Sequence, residues 1–384
     1  MVTRVLLLTG ARTGAGHIAA SEALAEAAKA SLGRFVVDVL DVLAPQTPRW
    51  SDHLAHLYEP IIVHAPWLWT VIYAATNSPP GLLVYRALAG QSLVHRVLAA
   101  AKERPPDVVV SVHPLMVRAA VAARGRSPLL AGRPIIAVVT DLVDVHRVWV
   151  ANGVDHYVAG TEAAAAMLMG YGVTPQRLAR YGIPLRPQYG HQNVSMTEMR
   201  RQLDLDPGLP LVLFMGGGAG AGSLVKRVQA VAALARPGRE FQIAVITGGN
   251  VRSRKTLEGI SWPLPVHVYG YVSSTADLMT AADIVATKPG SVTVSEALAV
   301  GRPVVLSRPA GGQEAGNIPY VVQGQAGFYA PTFQEAADAI DLLLQQPDIR
   351  WETGQRAARL GAPDASQRTL NLIQSLAANP SAPP

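Results

Sequence analysis

Residues 211–230 read LVLFMGGGAGAGSLVKRVQA, and how this stretch is read decides the fold. Five apolar residues give way to glycines at 216, 217, 218, 220 and 222, and a helical pattern opens near Ser223. A strand buried on both faces of a parallel sheet is apolar throughout, so it shows as a short unbroken run. Glycines after it let backbone approach a phosphate, and the first turn of the next helix turns unpaired N–H groups and a positive dipole end toward that charge. The same construction opens the chain. MVTRVLLLTGARTG (residues 1–14) leads into Gly16, His17 and an alanine-rich helix, and reads as a strand entering a glycine loop rather than a cleavable signal segment.

Between and beyond these loops, short apolar runs alternate with longer helical patterns, the mark of parallel α/β sheets. Strands are predicted at 4–8, 35–39, 107–111, 134–139 and 156–158, then at 211–215, 242–247, 266–269, 283–286, 303–306 and 327–329. YGIPLRPQYGHQNVS (residues 181–195), with two prolines and two glycines, separates two Rossmann-like domains, 1–187 and 188–384. The tail AANPSAPP (377–384) has no apolar period and is expected to fray. Two doubly wound sheets facing each other would put their ligand loops on a central cleft.

The 384 residues are 49% apolar and 16% charged, a balance that excludes disorder, collagen and a coiled coil as the main architecture. With no cysteine there is neither a disulfide framework nor a thiolate nucleophile. The net charge of +6 is uneven: residues 1–190 hold 17 basic against 12 acidic side chains, residues 191–384 hold 16 against 15. The first half also concentrates aromatics, with Trp50, Trp67 and Trp69 in or near IIVHAPWLWTVIYAA (61–75), followed by helical turns carrying Arg86, Arg96 and Lys102. Such a stretch suits an anionic membrane interface, and equally a core helix pair. No run reaches the roughly 18 apolar residues of a spanning helix.

Chemistry-bearing residues cluster at the loops. His17 stands in the first glycine loop, where a neutral imidazole can take a proton from a hydroxyl, or can simply pack at a helix start. The run ATKPGSVTVSEALAVGRPVVLSRPAGGQEAGN (286–317) places Lys288 and Gly290 in a turn, Glu296 on the helix after it, and Gln313, Glu314 and Asn317 in a later loop. A carboxylate one and a half turns into a helix can accept two ribose hydroxyls, and a Gln-Glu pair offers donors and acceptors to a sugar. Both glycine loops also fit a loose dinucleotide fingerprint, with Asp38 or Glu240 as the acidic partner.

TGAGHIAASEA (13–23), VSVHPLM (110–116), VTDLVDVHRVW (139–149), YGIPLRP (181–187), MGGGAGAGS, KPGSVTVSEAL and GGQEAGNIPYVV together resemble the family 28 GT-B glycosyltransferases. Within that family the resemblance is to the monogalactosyldiacylglycerol synthases and the related diacylglycerol glucosyltransferases, over roughly residues 5–330. It implies a hexosyltransferase that moves a hexose, galactose favoured, from a UDP-sugar to 1,2-diacylglycerol with inversion, with no cofactor and no metal. His17 falls on the family's proposed base. Glu296 falls on the ribose carboxylate, Gln313 and Glu314 on the sugar pair, and Gly217, Gly218 and Ser223 on the diphosphate loop, with the turn at Gly290. Thr247, Tyr271 and Val272 lie on the nucleotide side, and Asn317 is expected to cap the helix facing the diphosphate. Gly16, His113, Asp141, His146 and Trp149 match the acceptor side. The chain departs from the family at Arg12, Arg147, Pro289 and Val292. The only DxD string, Asp204-Leu205-Asp206, precedes its strand, away from the ligand loops.

The residues leave other readings open: a glucosyl donor, a UDP-GlcNAc transferase acting on a lipid-linked muramyl acceptor, a nicotinamide enzyme, or a silent sugar-nucleotide or lipid-binding protein. The expected partners are a UDP-hexose, diacylglycerol and an anionic membrane surface, not nucleic acid. The expected location is the cytoplasm, peripherally attached to the inner face of the plasma membrane.

Overall fold

Twelve strands divide evenly between two wholly parallel sheets in the computed structural model, which describes residues 2–10, 15–41, 66–78, 80–82, 90–190, 194–216, 221–309 and 311–379. The first sheet holds β1 (Thr3–Thr9), β2 (Phe35–Asp41), β3 (Val108–Ser111), β4 (Ile135–Val138), β5 (His156–Ala159) and β6 (Leu178–Arg180). The second holds β7 (Leu211–Met215), β8 (Gln242–Ile246), β9 (Val266–Tyr269), β10 (Ile284–Thr287), β11 (Val304–Leu306) and β12 (Gly327–Tyr329). Eleven of these strands are the predicted ones. The exception is β6, whose three residues at the sheet edge carry too little apolar pattern to announce a strand.

The strand order is β2-β1-β3-β4-β5-β6 in one sheet and β12-β11-β10-β7-β8-β9 in the other. The order therefore reverses between β1 and β3, and again between β7 and β10. At such a reversal the two connections leave on opposite faces and open a crevice at the strands' carboxyl ends. The first sheet shows why. Val5 and Leu7 pack with Leu24 of the helix Ala15–Ala30, whereas Leu6 and Leu8 pack with Met116 and Val117 of the helix Pro114–Arg124. Alternate side chains of one strand thus bury against helices on both faces, which is why β1 needs an unbroken apolar run.

The chain forms two compact units: 1–187 with 311–313 and 364–384, and 188–310 with 314–363. The sequence division gave all of 188–384 to the second domain, but the helix Ala365–Ala378 belongs to the first unit. Its Leu370 and Ile373, each 1% exposed, sit in one core with Val5, Leu7 and Leu24. Ser366 Oγ donates to the Leu185 carbonyl at 2.6 Å, and the Arg368 guanidinium lies 4.5 Å from the Tyr181 ring centre. Helical periodicity shows that a face must be buried but not which core receives it. The expected frayed tail lies, from residue 380 onward, outside the described residues.

Candidate functional site

The first unit gathers its chemistry where β1, β3 and β4 end. His17 is the third residue of the helix that follows β1, and its half-buried ring is held by two acceptors. Nδ1 lies 2.8 Å from the Val112 carbonyl oxygen and 2.9 Å from Thr140 Oγ1. A carbonyl can only accept, so Nδ1 carries the proton and the lone pair is on Nε2. Burial lowers the imidazole's pKa to about 4, against a smaller opposing effect of the Val112 bond. The ring is therefore neutral at pH 7. His113 packs beside it with ring centres 4.5 Å apart, and the Trp149 ring centre is 6.2 Å away.

His113 and His146 serve their own backbones. His113 caps the helix Pro114–Arg124, its Nδ1 accepting from Leu115 N at 3.3 Å. Burial, then the neighbouring His17, holds its pKa well below the ordinary value. His146 Nδ1 accepts from Val148 N at 3.1 Å, and its Nε2 lies 3.2 Å from Thr76 Oγ1. Its pKa is lowered by burial to about 4. The helix Pro66–Thr76 thus meets the loop after β4, where Tyr73 also donates to the Asp144 carbonyl at 3.0 Å. In that loop Asp141 Oδ2 accepts from Trp149 Nε1 at 2.8 Å and from His146 N at 3.3 Å. Desolvation nevertheless raises the Asp141 pKa to about 6. Trp149 is wholly buried, so it supports this loop from beneath rather than presenting a surface.

A second group of polar residues lies beyond the carboxyl ends of β10 and β11. The turn Lys288-Pro289-Gly290 leads into the helix Ser291–Ala299, whose N-cap is Gly290 and which no described side chain caps. Its Val294 N–H bonds back to the Gly290 carbonyl at 2.9 Å and closes the first turn. Lys288 Nζ pairs with Glu314 Oε1, and Glu314 is only 8% exposed. A Cβ at Gly290 would lie 3.5 Å from that Nζ and 3.7 Å from that Oε1, so the glycine packs directly against the ion pair. Glu296 is half-buried on the same helix, and Gln313 half-buried in the short turn Gly312–Glu314.

Asn317 is fully buried and corrects its expected role. Its Nδ2 donates to the Pro289 carbonyl at 2.8 Å and to Ser291 Oγ at 3.3 Å, so it pins the turn instead of capping a helix. A cap must accept from backbone N–H, and this amide group donates. Thr247 is likewise committed, since its hydroxyl donates to the Tyr269 carbonyl at 3.0 Å. Tyr271 is 80% exposed and Val272 half-buried at the end of β9. Gly216 closes β7, while Gly217, Gly218, Arg12, Trp50 and Arg86 lie outside the described residues, as do the side chains of Trp67, Trp69 and Ser223. Gly16 and His17 share the first turn of their helix.

The remaining sequence candidates are placed elsewhere. Of the two candidate acidic partners of a dinucleotide site, Asp38 pairs with Arg104 at 2.5 Å and Glu240 Oε1 accepts from Gly238 N at 3.1 Å. Asp206 Oδ1 accepts from Gly208 N at 2.8 Å in the turn before β7, at the end of the sheet opposite the glycine loop. No described helix is long and apolar enough to cross a membrane. Sequence reasoning missed Thr140, the Val112 carbonyl and the Lys288–Glu314 pairing. Thr140 could have been found, because it lies two residues past the end of β4 inside the VTDL string.

Comparison with known proteins finds relatives along both halves of the chain. Residues 17–185 match the family model described as monogalactosyldiacylglycerol (MGDG) synthase, and residues 211–312 match the glycosyltransferase family 28 C-terminal domain. The chain is 34% identical over 339 residues to a probable monogalactosyldiacylglycerol synthase 2, chloroplastic, from Oryza sativa subsp. japonica, covering 86% of this chain and 72% of that one. It is 33% identical to the chloroplastic monogalactosyldiacylglycerol synthase of Spinacia oleracea, covering 88% and 65%. Among solved structures, a glycosyltransferase from Rickettsia africae superposes with TM-score 0.60 at 11% identity, covering 98% and 99%. Anabaena Alr3699/HepE in complex with UDP-glucose superposes with TM-score 0.58 at 17% identity, covering 97% and 100%. These likenesses establish the GT-B fold. Both plant relatives are chloroplastic by name, which overturns the expectation of a cytoplasmic protein on the plasma membrane. Charge and aromatic content do not distinguish one anionic membrane from another, so they could not have named the compartment.

Proposed function

The chain belongs to the monogalactosyldiacylglycerol synthase family, and from that premise we infer a hexosyltransferase that moves galactose from UDP-galactose to 1,2-diacylglycerol with inversion. The observation that carries the reading is relatedness along both units, with the synthase model on 17–185 and the family 28 model on 211–312.

We propose that His17 is the base. Its Nδ1 proton is engaged by Val112, so Nε2 accepts the proton of the diacylglycerol hydroxyl while that oxygen bonds to C1 of the galactose and the C1–O bond to UDP breaks. The proposed donor grip comes from the loops after β7, β10 and β11. Glu296 takes the ribose, Gln313 and Glu314 the galactose hydroxyls, and the glycine loop with the N-terminal turn of the helix Ser291–Ala299 takes the diphosphate. Pre-oriented N–H dipoles can offset leaving-group charge without a divalent ion, so turnover is expected to survive dialysis against EDTA.

The proposed acceptor is insoluble in water, and the basic surplus of residues 1–190 suits docking on anionic lipid. The relatives' names point to a plastid membrane. Binding to vesicles should strengthen with anionic lipid and weaken with salt; equal binding to neutral vesicles would count against docking by charge. The deciding assay supplies UDP-galactose and UDP-glucose in parallel with diacylglycerol, and separates the lipid products. Galactolipid is expected. Glucolipid alone, or hydrolysis of UDP-sugar with no lipid product, would refute the reading.

A further inference from the structure

We propose that Thr140 is a positioning residue for His17, the second acceptor on its Nδ1–H. This rests on His17 being the base. When Nε2 takes a proton, the ring becomes cationic and its Nδ1–H becomes a stronger donor, so whatever accepts from Nδ1 stabilises the charge that forms. In hydrolases with a Ser-His-Asp arrangement a carboxylate does this. Here no carboxylate touches Nδ1 among the described residues, and the acceptors are the Val112 carbonyl at 2.8 Å and the Thr140 hydroxyl at 2.9 Å.

The placement of Thr140 is built by the fold. It lies two residues past the end of β4 and is 5% exposed, so its hydroxyl has little water to bond instead. The Val112 carbonyl follows β3, the neighbour of β4 in the sheet, so two adjacent strand ends bracket one nitrogen. Thr9, at the end of β1, anchors the same residue from its backbone, with Oγ1 donating to the His17 carbonyl at 3.2 Å. The other ionisable neighbours do not take Thr140's place: His113 lies against the ring at 4.5 Å with its Nδ1 engaged by Leu115 N, and Asp141 is bonded to Trp149.

The test compares Thr140→Val, which keeps the shape and removes the oxygen, with Thr140→Ser, which keeps the oxygen, and with His17→Ala. Galactosyl transfer is measured under saturating and limiting UDP-galactose, and the His17 ring nitrogens are read by ¹⁵N NMR in the folded protein. Hydrogen bonds to charged groups are the stronger kind, so Thr140→Val should lower kcat about 10- to 100-fold. The KM for UDP-galactose should not move, and Thr140→Ser should recover most of the rate. The wild-type spectrum should show the proton on Nδ1, and Thr140→Val should shift that resonance. Wild-type kcat in Thr140→Val, or equal losses in the Val and Ser variants, would overturn the role of Thr140. Retained turnover in His17→Ala would instead overturn the base assignment, so the two failures are told apart.

Discussion

Removing the cation from the Lys288–Glu314 pair tests whether the turn proposed to hold the donor is held together by charge. Glu314 is 8% exposed, and Lys288's side chain is 35% exposed. Breaking a fully buried pair by deleting one partner costs about 3–5 kcal/mol, because the other charge is left uncompensated, whereas an exposed pair is worth under about 1. This pair has one end in each regime, so Lys288→Met should cost about 1–3 kcal/mol, close to a 5- to 150-fold change in an equilibrium constant. The assay is native-state hydrogen exchange at β10 and β11, the strands that carry the turn and lead to Glu314, where exchange should speed by that factor. Neutralising both partners in Lys288→Met/Glu314→Gln removes the uncompensated charge and should restore much of the protection, giving a coupling of about 1 kcal/mol or more in the cycle. Unchanged protection in Lys288→Met, with coupling below about 0.5 kcal/mol, would refute the argument and leave the pair a surface contact.

Four further outcomes follow from the same geometry. The His17 pKa is lowered to about 4, so its neutral form persists well below pH 6.5 and turnover per folded enzyme should not fall on its account between pH 8 and 5; an acid limb near 6.5 in a pH–rate profile would contradict this. For stability the signs oppose: the lowered His17 and His146 favour the folded state above pH 6.5 and lose that contribution as pH falls through about 4, while the raised Asp141 favours it below pH 3.8 and loses it as pH rises through about 6. Asp141→Asn should therefore improve stability relative to wild type more at pH 7 than at pH 4 in urea titrations. Leu370→Ala should cost about 2–5 kcal/mol, seen as a lowered thermal midpoint, since Leu370 lies in the core under β1. At Asn317, replacement by Asp should destabilise more than replacement by Ala. Asp turns the donor to the Pro289 carbonyl into a buried charge, whereas Ala also removes an Oδ1 that has no partner among the described residues.

What the residues announced and what they withheld divide along a physical line. The runs VLLL, VVV and LVLF had to be buried strands, because parallel strands covered on both faces tolerate few polar side chains, and the glycines after β1 and β7 marked the crevice ends before any strand order was known. His17, Glu296, Gln313 and Glu314 were nameable because their types and loops restrict what they can do. Their partners were not. Val112 acts through a backbone carbonyl that every residue owns, and Lys288 and Glu314 are 26 positions apart, joined only once β10 and the turn at 312–314 are placed. Asn317 was expected to accept from a helix and instead donates to a turn, a choice decided by which atom faces Pro289. The last helix was periodic enough to be recognised and too generic to reveal which unit's core it completes.

The depressed basicity of His17 also restricts the order of bond changes in the proposed reaction. An alcohol is about as weak an acid as water, so full proton transfer to an imidazole whose pKa burial lowers to about 4 is steeply uphill, by an amount comparable with an ordinary enzymatic barrier. A turnover of about 10 per second has a total barrier of about 16 kcal/mol. A free alkoxide formed in advance would consume that barrier before the C1–O bond to UDP began to break. The proton must therefore move as the new bond forms and the diphosphate leaves, when the attacking oxygen has lost electron density and its proton has become far more acidic. A base held neutral by burial, with Val112 and Thr140 waiting on its other nitrogen, suits that order: it does not compete for solvent protons near pH 7, and it gains its stabilisation only as charge arrives. A solvent isotope effect on kcat that rises together with an anomeric ¹³C effect would mark this concerted step; a proton effect with no carbon effect would place deprotonation first and defeat the reasoning.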